Sequence, residues 1–104
     1  MSFKNRPVLI IGQADDRDFV VLPISTVSKK EFLDAVYDVR ISPTNFQAMN
    51  LKQDSYIRTH KQTVINQTEI SYDIVDFKKL YPDKFSKILD KVRDFQEKMI
   101  RTSR

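Results

Sequence analysis

Ser55-Tyr56-Ile57-Arg58-Thr59-His60-Lys61-Gln62-Thr63-Val64-Ile65-Asn66 is the stretch on which the reading of this chain turns. It is rich in β-branched residues, which suit a pleated, half-buried surface. Extended, it places Tyr56, Arg58, His60, Gln62 and Val64 on one face. Ile57, Thr59, Lys61, Thr63 and Ile65 fall on the other. Arg58 and His60, the chain's single histidine, then stand about 7 Å apart along one face, from the rise per residue. A fixed cation beside a group that titrates near neutrality suits phosphodiester chemistry. The same pattern also suits a solvated strand face, so the flanking sequence has to decide.

Composition narrows the field. A chain of 104 residues supports one modest core, so a single domain over 1–104 is expected. With 40% hydrophobic and 31% charged residues, it reads as a soluble globular domain rather than a disordered one. The apolar run from Pro7 to Gly12 is far shorter than the roughly 20 residues of a membrane span and makes no signal-peptide core. A cytoplasmic location and no membrane partner are therefore expected. The chain has no cysteine, which excludes a disulfide framework, a thiolate nucleophile and a zinc ribbon. One histidine argues against structural zinc, and one glycine, Gly12, excludes P-loop, GxSxG and GxGxxG motifs. No metal and no cofactor are expected. The formal net charge of +4 favours an anionic partner, but residues 1–66 and 67–104 each carry nine basic and seven acidic side chains. The excess is local instead: residues 55–68 hold Arg58, His60 and Lys61 and no acid.

In chain order, Arg6 to Gly12 reads as a strand buried on both faces, a short continuous apolar run opened by Pro7. Pro7 suits the first strand position and biases Arg6 towards an extended conformation. A polar turn at 14–18 leads to a second strand, Phe19 to Ser25, so the two form an antiparallel hairpin. Pro23 cannot donate to a ladder and implies an edge or a bulge, which re-aims Ser25 and Thr26. In such a hairpin the end of the second strand lies near the start of the first, bringing Ser25 or Thr26 towards Arg6. Those hydroxyls serve either a site or a turn.

Ser28 to Glu31 has capping-box form, so a helical turn is expected over 29–34. Val36 to Ile41 alternates, placing Tyr37, Val39 and Ile41 inward and Asp38 and Arg40 towards water. A brief helical segment is expected within 46–51, then the long strand over 55–66. An edge strand over 70–74 and a helical turn over 76–80 follow. Pro82 suits the first position of a helix over about 82–101. Phe85, Ile88, Leu89, Val92, Phe95 and Met99 form its apolar stripe, with Asp83–Lys87, Asp94–Lys98 and Glu97–Arg101 at i,i+4 outside. The whole is α+β: a small, strongly bent antiparallel sheet, over about 6–74, closed by a C-terminal helix.

Three segments together resemble the PemK/MazF family of toxin components from bacterial toxin–antitoxin pairs. Lys4-Asn5-Arg6-Pro7-Val8-Leu9-Ile10-Ile11 is similar to the family's K-x-RP-x-L-V-I strand. Val20 to Thr26 is similar to the following strand, which ends in an I-T/S-x step. Ser55 to Asn66 with Glu69-Ile70 is similar to the long strand that ends near R-T-x-D. In that last segment, either Ile57-Arg58-Thr59 falls on the family's I-R-T, or Thr63-Val64-Ile65-Asn66 falls on R-T-x-D. The second register keeps the strand's length and is preferred. Family members usually carry a further strand and a Gly-containing loop before the RP step, where this sequence has Met1 to Asn5, so an N-terminally reduced member is expected.

The resemblance implies an SH3-like small barrel with a C-terminal helix, usually a homodimer, partnered by a cognate antitoxin. It implies metal-independent cleavage of single-stranded RNA, mRNA included, by attack of the ribose 2′-OH on the adjacent phosphate. By resemblance, Arg6 matches the catalytic arginine and Ser25 the hydroxyl residue, with Thr26 beside it. His60 is the natural proton-transfer group, because no other side chain has an ordinary pKa near 7. Arg58, Lys61 and Tyr56 are candidate RNA contacts, Tyr56 by stacking on a base. The enzyme reading depends on His60 facing the groove that holds Arg6 and Ser25. Otherwise the alternative is an SH3-like module that binds RNA or a protein without cutting.

Overall fold

The computed structural model describes residues 2–3, 6–26, 32–70 and 75–103, the side chains of Ser2, Phe3 and Arg6 excepted. Six antiparallel strands form the sheet. They are β1 Ser2–Phe3, β2 Arg6–Gln13, β3 Asp18–Ser25, β4 Asp38–Ile41, β5 Ser55–Arg58 and β6 Thr63–Asn66. Their order is β1-β2-β3-β5-β4, with β6 also pairing to β3. Two helices follow, α1 Phe77–Leu80 and α2 Pro82–Thr102. The α+β arrangement and the C-terminal helix are as the sequence implied. The sheet is not closed: among the described residues its path ends at β1 and β4. β1 pairs Ser2 with Pro7 and Phe3 with Arg6, and the small, strongly bent barrel that was expected takes the form of an open sheet.

β3 is the spine. β2 lies along one edge, with Leu9 opposite Leu22 and Ile10 opposite Val21. A register shift follows between Ile10 and Gly12, a one-residue bulge that bends β2 and adds local twist. Its turn to β3 is held by Asp15, whose Oδ1 accepts from the backbone N–H of Arg17 at 2.9 Å and Asp18 at 3.0 Å. On the other edge, β6 pairs with the first half of β3, from Asp18–Asn66 to Val21–Thr63. β5 pairs with its end, at Ile24–Ile57 and Ser25–Tyr56.

The expected long strand is therefore two strands. Between the pairs Val21–Thr63 and Ile24–Ile57, β3 has only Leu22 and Pro23, while the facing chain has residues 58–62. Pro23 has no N–H, so the site of the excursion is one where β3 has a donor fewer to offer. Thr59 secures the excursion to β4's approach instead. Its Oγ1 donates to the carbonyl of Tyr37 at 2.6 Å and its N–H to the same carbonyl at 3.2 Å. Thr59 is fully buried.

Strand alternation divides β2 between two apolar clusters, as a doubly buried strand requires. Leu9 joins Leu22, Ile24, Val39, Ile41 and Ile57 beneath α2, with Ile11 packed alongside. Val8 joins Val21 and Ile65 on the opposite face, with Ile10, Phe19 and Ile70 packed against them. From α2, Phe85, Ile88 and Val92 enter the larger cluster and Leu89 flanks it. Phe95 meets Tyr37 edge to face at 5.1 Å between ring centroids. Beyond it the stripe ends, because Met99 is exposed along with Ile100. On the helix's outer surface the ion pair among the described residues is Asp90–Arg93, three residues apart. The expected i,i+4 pairs do not form there.

The shorter segments fall close to expectation. Gln47–Met49 makes one turn of 3₁₀ helix, ended by Asn50 at a φ of 51°, the left-handed region that asparagine tolerates. α1 is capped by Asp76, whose carboxylate accepts from the Lys79 N–H at 3.1 Å. β4 is shorter than its pattern suggested, because Asp34 folds residues 35–37 into a turn. Its Oδ1 accepts from the N–H groups of Val36 and Tyr37, each at 2.9 Å. The capping box at 28–31 and the edge strand beyond Ile70 lie outside the described residues. No helix among the described residues is long and apolar enough to cross a membrane.

Candidate functional site

Sheet register builds the first part of the site. Ser25 pairs with Tyr56, and Tyr56 pairs with Arg40. Directly opposed residues in an antiparallel ladder share a face, so these three make one row across β3, β5 and β4. That face is opposite the one carrying Ile24, Ile57 and Val39 into the core. On the far side of β3, Val8 pairs with Pro23. The β2–β3 pairing begins at Val8–Pro23, two residues from Arg6 on one strand and from Ser25 on the other. The sequence argument that brought Ser25 towards Arg6 rested on the same hairpin. Ser25 and Tyr56 are half-buried, and Arg40 is exposed.

The second part is a polar pocket two residues further along β5. Asp38 pairs with Arg58, and its side chain is 1% exposed. Arg58 Nε donates to Asp38 Oδ1 at 3.1 Å and Nη2 to Oδ2 at 3.4 Å. Nη2 also donates to the Phe32 carbonyl at 3.2 Å. Asp38 Oδ2 accepts from the Asp34 N–H at 2.8 Å. A buried carboxylate is tolerated because both of its oxygens accept from a charged or backbone donor. The expectation that Asp38 faces water is thus corrected. The alternation was right, but the turn at 34–37 folds over that face and encloses the carboxylate.

His60 completes this pocket rather than the row. Its ring sits 5.9 Å from Tyr37 and 6.1 Å from Phe95, between centroids, and its side chain is 11% exposed. Nδ1 is buried without a hydrogen-bond partner among the described residues, and its 3.8 Å to Asp38 Oδ1 is too long for a hydrogen bond. Burial lowers the imidazole pKa from its ordinary 6.5, and the nearby Arg58 and Lys61 add to that. The Asp38 and Asp34 carboxylates oppose it and are outweighed. His60 is consequently neutral at neutral pH.

Of the residues singled out from the sequence, Ser25 and Tyr56 come together. Arg58 shares their face but is committed to Asp38. Lys61 is exposed on the excursion, its N–H donating to the Arg58 carbonyl at 3.1 Å. Thr26 is exposed just past the end of β3. Three residues of the site escaped sequence reasoning: Asp38, Arg40 and Thr59. Only Arg40 carried a signal, being the exposed cation of a clean alternation. The broad groove of about 480 Å³ lies elsewhere, between β2 and the helices, lined by Leu9, Ile11, Met49, Phe77, Phe85 and Leu89 among others. Its lining is mainly apolar, with Asp76 and Lys78 its charged residues.

The fold is an open antiparallel sheet under a C-terminal helix, with Ser25, Tyr56 and Arg40 in one row on the face away from that helix. Residues 2–95 match the model of one family: PemK-like, MazF-like toxins of type II toxin–antitoxin systems. The chain belongs to that family, and membership implies an antitoxin partner. Neither the curated proteins nor the solved structures yield a match to it.

Proposed function

We propose that the protein is a metal-independent endoribonuclease that cuts single-stranded RNA, mRNA included, and acts as the toxin of its pair in the cytoplasm. The observation that supports this reading is the row of Ser25, Tyr56 and Arg40 across β3, β5 and β4, with Arg6 opening β2, the strand that pairs with β3. In this reading the ribose 2′-OH attacks the adjacent phosphorus, and the P–O5′ bond breaks to leave a 2′,3′-cyclic phosphate and a free 5′-OH. Arg6 holds the charge that gathers on the phosphoryl oxygens. One proton must leave the 2′-OH and one must reach O5′. Ser25 Oγ, donor and acceptor at once, relays it. His60, on which the sequence rested the enzyme reading, is not given that task, because its ring is walled by Tyr37 and Phe95; the reading rests on Arg6 and Ser25 in its place. Tyr56 stacks on a base, and Lys61 and Thr26 border the path of the RNA. The active form is a homodimer, released when the cognate antitoxin is removed.

A second reading is a non-cutting SH3-like module that binds RNA or a protein. One observation favours it: the chain's single group with an ordinary pKa near neutrality is enclosed beside Asp38. Incubation of the purified protein with a long single-stranded RNA in excess EDTA, with the product ends mapped, separates the two. Discrete cuts with cyclic phosphate ends, lost in Arg6→Ala and Ser25→Ala, support the nuclease. Saturable binding without any cut supports the module.

A further inference from the structure

Arg40 was not among the residues the sequence marked for RNA, and it ends the row that Ser25 begins. It stands two strands from Ser25, across β5. With strands about 4.8 Å apart, that is roughly 9.6 Å between the two backbone positions. A phosphate at Ser25 and a phosphate at Arg40 are therefore different phosphates. Tyr56 lies between them on the same face, where a ring can receive the intervening base.

The guanidinium is held ready. Arg40 Nε and Nη2 both donate to Asp54 Oδ2, at 3.1 and 2.6 Å, while Nη1 has no hydrogen bond among the described residues. The hydrogen bond to Asp54, with its charge, holds the Arg40 pKa above its ordinary value, so the cation is permanent. The pair is open to water, with side chains 62% and 46% exposed. Exposed pairs of this kind contribute little to stability. Asp54 therefore orients the fork without consuming it. Arg58, by contrast, is bound to a buried carboxylate and a backbone carbonyl and has far less freedom to turn to a ligand.

We propose that Arg40 is a substrate-positioning residue that binds the RNA phosphate one nucleotide away from the scissile linkage, on the β4 side of Tyr56. The site then requires a substrate that extends at least one nucleotide beyond the linkage it cuts. This rests on the nuclease reading for its kinetic consequence and on the row alone for binding.

The test has two arms. In the first, kcat and KM are measured for the wild type, Arg40→Ala and Asp54→Asn on a long single-stranded RNA and on a dinucleotide with one phosphodiester. Arg40→Ala is expected to raise KM about tenfold on the long RNA, the effect of one charge-assisted contact, with kcat within twofold. On the dinucleotide it changes neither constant. In the second arm, binding of a fully 2′-O-methylated single-stranded RNA, which cannot undergo 2′-OH attack, is followed by fluorescence anisotropy against salt. The log–log slope is expected to fall by about 0.7 in Arg40→Ala, one phosphate on a single strand. Asp54→Asn breaks the same ion pair but keeps the cation, and retains the wild-type slope. Equal losses in both variants, or an unchanged slope in Arg40→Ala, overturn the inference. A wild type that binds but never cuts overturns the nuclease reading alone, since the second arm still judges Arg40.

Discussion

Asp38 and Arg58 are cross-strand partners as well as an ion pair: the register that joins β4 to β5 sets their backbones opposite one another, and their side chains meet at 3.1 Å. The pairing that forms the hairpin thus also delivers the cation to its buried carboxylate. Removing the carboxylate leaves Arg58 half-enclosed and without its partner, and leaves the Asp34 N–H without its acceptor. Loss of one member of a buried pair costs about 3–5 kcal/mol. Because Arg58 is 23% exposed and can reach water, the lower end applies. Asp38→Ala is expected to lose about 3 kcal/mol in urea unfolding, with an unchanged m-value. A loss below about 1 kcal/mol would mean that the pair is screened like a surface bridge.

The position of His60 sets a direction for pH dependence. Its folded pKa is lowered, chiefly by burial, while the unfolded chain takes up the proton near 6.5. Between those two values the unfolded state binds more protons, so stability rises with pH there. The contribution is complete above about pH 6.5 and is lost as pH falls through that value towards the folded pKa. Wild-type Tm is expected to fall between pH 7 and pH 5, and His60→Gln to fall less over the same interval. Parallel curves for the two proteins would show that His60 carries no such linkage.

Much of the fold was legible because its signals are local. The run Val8-Leu9-Ile10-Ile11 demanded apolar cover on both faces, and its alternate residues do enter two clusters. Pro82 and the spacing of Phe85, Ile88 and Val92 defined α2 and its buried side. The break at 59–62 was not legible, because the β-branched run reads as continuous. Its counterpart, Pro23, lies in another strand, and only the register shows that the two coincide. Nor was the burial of Asp38, which needs the 34–37 turn to close over it. At Asn66, by contrast, a usable signal went unread. Asn66 and Glu69 form a capping box, with Thr68 N donating to Asn66 Oδ1 and Asn66 N to Glu69 Oε2, and that spacing is visible in the sequence as N-x-x-E. For the site, the β2–β3 hairpin was legible from its two apolar runs and the polar turn between them. The fate of His60 depended on a ring contact with α2, more than thirty residues away in sequence, which no local pattern encodes.

Thr59 tests whether the excursion is a built feature of the sheet. Its hydroxyl is fully buried and donates to the Tyr37 carbonyl at 2.6 Å. Valine has nearly the same shape and no hydroxyl, so Thr59→Val removes that bond with little change in packing. The Tyr37 carbonyl keeps the Thr59 N–H and is not left orphaned. The expected loss is therefore about 1 kcal/mol, that of a single neutral hydrogen bond. Hydrogen exchange should show faster opening of the 58–62 amides than of the β2–β3 ladder. If Thr59→Val is as stable as the wild type, the excursion is held by packing alone.

The last expectation concerns Arg6 and Ser25 in the proposed nuclease. If Ser25 Oγ relays the proton and steadies the phosphoryl oxygens, its loss removes an interaction made mainly in the transition state. Ser25→Ala is expected to lower kcat on single-stranded RNA by about 10²-fold, the scale of one deleted oxyanion donor, with KM nearly constant. Ser25→Thr keeps the hydroxyl on a strand-compatible side chain and should retain most of the activity. Arg6→Lys keeps the charge but loses the planar fork, so it should fall between the wild type and Arg6→Ala. Stability should not separate the serine variants, since Ser25 is half-buried and lies at the end of β3. The informative result is the order of the four rates. A Ser25→Thr variant as slow as Ser25→Ala would take the hydroxyl out of the chemistry, and the proton relay would have to be sought elsewhere along the row.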